Sequence, residues 1–92
     1  MAKINIEQPH TLPQHEVKQR LVALAERLSQ KYGIEARWVS DHEAEIKRTG
    51  VTGRLLCGDT NVTVRLDISF ALLPLKGTIE ERIRRELASN LA

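Results

Sequence analysis

Val62-Thr63-Val64-Arg65-Leu66-Asp67-Ile68-Ser69-Phe70 alternates apolar and polar residues without a break. That is the period of a strand with one face in a core and the other toward water. Its apolar side, Val62 to Phe70 at every second position, needs a cover, and the next segment supplies one. Leu72, Leu75, Ile79, Ile83, Leu87 and Leu91 recur at spacings of three or four residues, the stripe of an amphipathic helix. Pro74 is compatible with that helix in its first turn, and Thr78 with Glu81 offers a second start, so the helix begins between Pro74 and Ile79.

Upstream of the strand, Gly58-Asp59-Thr60-Asn61 reads as a loop. Before it, Val51, Gly53, Leu55 and Cys57 form an inward set, whereas Ala44 and Ile46 point inward with the opposite numerical parity. The register resets at Thr49-Gly50, by a bulge in one long strand or by a tight turn between two. The lack of Asn or Asp at the first turn position favours the bulge. Ala36 and Trp38 against Arg37 and Val39 mark a further strand from Glu35, closed by the turn residues Ser40 to Glu43. Val17, Leu21, Leu24, Leu28 and Tyr32 make a helix over 13–32. Thr11 and Gln14 are placed as a capping box at its start, and Gly33 as the left-handed residue that ends it. Ile4 and Ile6 give the first strand, Lys3 to Gln8.

The order β-α-β-β-(β)-β-α predicts an α+β fold: an antiparallel sheet of four or five strands with two helices packed on one face. The other face carries Lys3, Asn5, Glu7, Arg37, Val39, Glu45, Lys47, Thr52, Arg54, Leu56, Thr63, Arg65, Asp67 and Ser69. At 92 residues the chain holds a single domain, 1–92. A hydrophobic share of 41% with 28% charged residues places it among folded proteins. Fourteen basic against twelve acidic residues leave +2, too little to select a partner. Cys57 stands alone, so no internal disulfide forms and a reducing cytoplasm is expected. The start, Met1 to Glu7, lacks a signal-peptide apolar region, and no stretch is long and apolar enough for a transmembrane segment.

Candidate chemistry is sparse. His10, His15, His42 and Cys57 show no metal-ligand spacing, and Cys57 falls inward as a small hydrophobe. Asp41 and Glu43 serve a turn, and Asp59 a loop. Gly33, Gly50, Gly53, Gly58 and Gly77 form no phosphate loop, and Gly53 is expected to admit a helix closely. Glu80 with Arg84 and Glu81 with Arg85 are pairs on a solvated helix face. The outer sheet face lacks the aromatics that stack bases, so no nucleic acid is expected. No catalytic residue, cofactor or metal is assigned. Trp38 and Phe70 are expected inward, in the core. The run Ala71-Leu72-Leu73-Pro74-Leu75 exceeds what helix packing covers, with Leu73 left over. Trp38, Leu72 and Leu73 are therefore the candidate interaction surface.

An ordered set of features then points further: the Ile4 and Ile6 strand, His10-x-Leu12, a helix ending Lys31-Tyr32-Gly33, Trp38, Gly50-Val51-x-Gly53, and Leu75-Lys76-Gly77-x-Ile79-Glu80-x-x-Ile83. Over nearly the whole chain this resembles the bacterial polyhydroxyalkanoic acid system protein family, also described as a polyhydroxyalkanoate granule-region family. The resemblance implies a cytoplasmic, non-enzymatic accessory protein whose partner is the polyhydroxyalkanoate granule surface or a granule protein. It brings no catalytic residues with it. The element order is also similar to a shortened helix-grip domain. That likeness implies an alternative, a small carrier of a fatty-acyl or hydroxyacyl ligand between sheet and C-terminal helix. A small hydrolase or isomerase acting on hydroxyacyl substrates is the least supported reading, since no nucleophile motif is present.

Overall fold

The computed structural model describes residues 2–91; Met1 and Ala92, the ends of the expected domain, lie outside the described residues. The elements are β1 (Ala2–Pro9), α1 (Gln14–Tyr32), β2 (Glu35–Trp38), β3 (Glu43–Arg48), β4 (Val51–Cys57), β5 (Asn61–Ile68), a 3-10 helix (Phe70–Leu75) and α2 (Lys76–Leu91). All strand pairs are antiparallel, in the order β1-β5-β4-β3-β2, and both helices cover one face of the sheet. The α+β class and element order are those the apolar periods require.

The strand with the clearest alternation lies inside the sheet, between β1 and β4. Val62, Val64, Leu66 and Ile68 are buried, as are Ile4 and Ile6 of β1, which together form the floor of the core. From above, α1 contributes Val17, Leu21 and Leu24, and α2 contributes Leu87 and Leu91. On the outer face, Arg37, Glu45, Arg54, Arg65 and Asn5 stand in one row across all five strands. Thr63, expected on that outer face, is buried.

Four expectations are corrected. Residues 44–57 form two strands rather than one bulged strand, with Arg48 opposite Val51 and only Thr49-Gly50 between them. Gly50 has φ 81° while Thr49 has no positive φ. The turn thus needs the left-handed region only at its second position, as in type II, so Asn or Asp at the first is not required. Second, β5 stops at Ile68, and Phe70, expected in the core, is 74% exposed on the 3-10 helix.

Third, the capping box does not form: α1 starts after Pro13 with no side-chain cap, and the Pro13 carbonyl accepts from Glu16 and Val17 N–H. The Gln14 side chain instead donates to the Cys57 carbonyl at 3.1 Å, tying the helix start to the end of β4. Fourth, Gly53 admits β5 rather than a helix, because a Cβ there would meet the Arg65 carbonyl oxygen at 2.1 Å. Gly33, with φ 69°, closes α1 as expected, its N–H bonded to the Ser29 carbonyl.

Candidate functional site

The two helices run antiparallel and are tied along their solvent side. The Arg20 guanidinium donates to the Asn90 carbonyl at 3.0 Å, Arg27 to Asn90 Oδ1 at 2.6 Å, and Arg82 to the Tyr32 hydroxyl. Beneath this polar seam the packing is uneven. α1 is buried through Leu24 and α2 only at Leu87 and Leu91, whereas Leu28, Tyr32, Ile79 and Ile83 are half-buried. The C-terminal half of α1 and the N-terminal half of α2 therefore stand off the sheet over an apolar cleft of about 280 Å³. Its walls are Leu21, Leu24, Ala25 and Leu28 of α1, Ile79, Ile83 and Leu87 of α2, and Ile46, Val51, Leu55, Val64 and Leu66 of the sheet. Arg48, Leu75, Thr78 and Arg82 line it and are exposed, so they mark where it opens.

Arg48 occupies an inner-face position, two residues beyond Ile46 and four beyond Ala44 on β3. A cation at such a position departs from the strand's apolar alternation, a signal present in the sequence but masked there by the parity reset at the adjoining Thr49-Gly50.

Next to the cleft mouth lies the 3-10 helix. With three residues per turn, Phe70 and Leu73 share one side and Leu72 and Leu75 another. Leu72 packs half-buried against the core and over the β3–β4 turn, where a Cβ on Gly50 would touch its Cδ1 at 3.0 Å. Phe70 at 74%, Leu73 at 42% and Leu75 at 51% remain exposed. The strand's twofold period stops at Ile68 and a threefold one begins, which turns Phe70 outward. Leu73 is left uncovered, the position expected of it.

Trp38 lies at the opposite end of the sheet, paired with Ala44 beside the 39–42 loop. It is half-buried against the core, with Lys18 Nζ 5.2 Å from its ring centroid. Lys18 also bonds Asp41 at 2.9 Å and so holds that carboxyl below its usual range. Leu72 and Leu73 are neighbours, but Trp38 is not brought to them.

The histidines and Cys57 occupy the same far end. His10 is buried, its Nδ1 accepting from Leu12 N–H at 3.2 Å and its Nε2 3.0 Å from the Gly58 carbonyl, which assigns the proton to Nε2. The exposed His42 meets the Gln14 amide through Nδ1. Burial pushes the Cys57 thiol up to about 11. Among the described residues no group of three or more His, Cys, Asp and Glu is placed to hold a metal ion. No described helix is long and apolar enough to cross a membrane.

Sheet, helix pair and apolar cleft define a small two-layer α+β domain with room for an apolar guest. Its sequence places it more narrowly. The chain belongs to the polyhydroxyalkanoic acid system protein family, whose profile matches residues 4–91. The family description names the system and assigns no molecular role. No curated protein matches the sequence. Among solved structures, the chain is similar to PA4090 from Pseudomonas aeruginosa, determined by NMR, at 15% identity and TM-score 0.51, covering 92% of this chain and 83% of that one. The crystal structure of TTHA0849 from Thermus thermophilus matches at 11% identity and TM-score 0.43, covering 97% and 88%. At these identities the first likeness concerns the fold alone.

Proposed function

We propose that this protein is a non-enzymatic accessory of polyhydroxyalkanoate storage that attaches to the granule surface or its protein coat through an apolar contact. The observation that carries the reading is the 3-10 helix, which holds Phe70, Leu73 and Leu75 toward solvent on one short segment. Family membership supplies the polyester context. Together these side chains offer on the order of 300 Å² of apolar surface, comparable to the largest apolar patch of an ordinary monomer, which is often functional. At ~25 cal/mol per Å² its burial yields several kcal/mol before the cost of association is subtracted. In this reading Leu73 is central, joined by Phe70 and Leu75. Leu72 braces the segment from beneath, and Trp38 lies outside the contact.

Co-sedimentation with purified granules tests this. Phe70→Ser and Leu73→Ser should reduce pelleting far more than they lower the melting temperature, whereas Ile83→Ser, on the core side of α2, should do the reverse. Binding should persist at ~0.5 M salt, because apolar contact is not screened. Wild-type protein that stays in the supernatant beside both native and protein-stripped granules rejects the proposal.

The cleft favours a second reading, a carrier for a fatty-acyl or hydroxyacyl chain. A volume of about 280 Å³ lies at the small end of ligand sites, which suits a single unbranched aliphatic chain better than a bulky guest.

A further inference from the structure

The carrier reading leaves the guest's polar end undefined, and the cleft mouth supplies it. Arg48 projects from the sheet's inner face at the rim of a cleft whose walls are otherwise almost wholly aliphatic. Among the described residues no hydrogen bond or ion pair engages its guanidinium. The other charged lining groups are committed: Arg82 bonds the Tyr32 hydroxyl and lies 5.5 Å from its ring centroid, while Glu86 sits 4.0 Å from Arg27. The site therefore pairs an apolar tail compartment with one uncommitted forked donor at its entrance. Guanidinium geometry matches the two oxygens of a carboxylate.

We infer that the cleft takes a medium-length aliphatic chain ending in a free carboxylate, with the tail between α1, α2 and the sheet and the carboxylate on Arg48. A methylene occupies nearly the ~30 Å³ share of one water, so the cleft admits a chain on the order of ten carbons. An ester or thioester of the same chain lacks the anionic oxygen pair and forfeits the Arg48 contact. This inference rests on the carrier reading, and the test separates the two.

Titration calorimetry with decanoate, decanol and butyrate, all below their aggregation limits, makes the comparison. Decanoate should bind about tenfold more tightly than decanol, a ratio equivalent to about 1.4 kcal/mol. Butyrate, with the head but little tail, should bind at least a hundredfold more weakly than decanoate. Arg48→Gln, at an exposed position where folding is not at stake, should bring decanoate to the decanol level and leave decanol unchanged. Raising salt to ~0.5 M should erode the decanoate advantage alone. Equal binding of decanoate and decanol to the wild type, or an advantage that survives Arg48→Gln, overturns the assignment of the head group while leaving the cleft as a tail site. Failure of both ten-carbon probes to bind rejects the carrier reading and this inference with it.

Discussion

A Cβ on Gly53 would sit 2.1 Å from the Arg65 carbonyl oxygen and 2.5 Å from Leu66 Cδ2, so even alanine forces the β4 and β5 backbones apart. Gly53→Ala should cost about 1–3 kcal/mol in a urea titration, the range of overpacked sites. Gly77 is the counterpart: nothing lies within 4 Å of its would-be Cβ, it has no positive φ, and it stands in the first turn of α2. Gly77→Ala should stabilise the protein by about 0.4–1 kcal/mol, through a less flexible unfolded chain. Cys57 makes a pH-dependent prediction. Its thiol moves from 9.0 to about 11 through burial, so the folded state holds the proton more tightly than the unfolded chain does. That contribution is complete below pH 9 and is lost as pH rises from about 9 to 11. Denaturation midpoints of wild type and Cys57→Ala should accordingly converge across that window, with the wild type falling more steeply.

Arg54 and Arg65 face each other directly on β4 and β5. Arg54 is drawn to Glu43 and Glu45, while Arg65 faces Asn5 on its other side. Like charges directly opposite are unfavourable, so Arg65→Glu should raise stability by about 0.2–1 kcal/mol, measured by chemical denaturation. Leu66→Asp, one residue away on the buried side, should prevent stable folding. The contrast between these neighbours is the twofold period at work, and that period made the strands and the helix-bearing face readable from residues alone. It was not enough at the junctions. Thr49-Gly50 resets parity in the same way whether it is a bulge or a turn, and the outcome depends on β3 and β4 pairing, which is not local. Phe70 continues the alternation in sequence but leaves the ladder, because the Ser69 carbonyl accepts from Leu72 N–H and the chain coils into the 3-10 helix. Leu73 was recognisable as surplus in an apolar run. Arg48 was recognisable only after the turn had fixed which way β3 faces.

Across the molecule, the apolar stripes of both helices are complete, yet the sheet accepts only part of each, and the cleft is what remains. Its depth depends on small residues such as Ala25, half-buried in the wall. Ala25→Leu adds three carbons there; at ~0.8 kcal/mol per buried CH₂, less any strain, it should raise the melting temperature while weakening decanoate binding. Unchanged decanoate affinity in that variant would place the guest elsewhere. No periodicity reveals such a space, because it reflects how the two helices sit on the sheet and not the content of either. The strand order carries one last consequence, and it concerns time. Among the described strands β1 is the earliest in sequence and pairs only with β5, Ala2 opposite Ile68. During synthesis it must wait for β5, while β2, β3, β4 and β5 zip successively through short loops. Closure of so distant a pair is the slow kind of contact, placing refolding toward milliseconds or longer rather than microseconds. In stopped-flow experiments Ile6→Val should slow refolding and leave the unfolding rate nearly untouched, as befits a strand whose docking limits the rate.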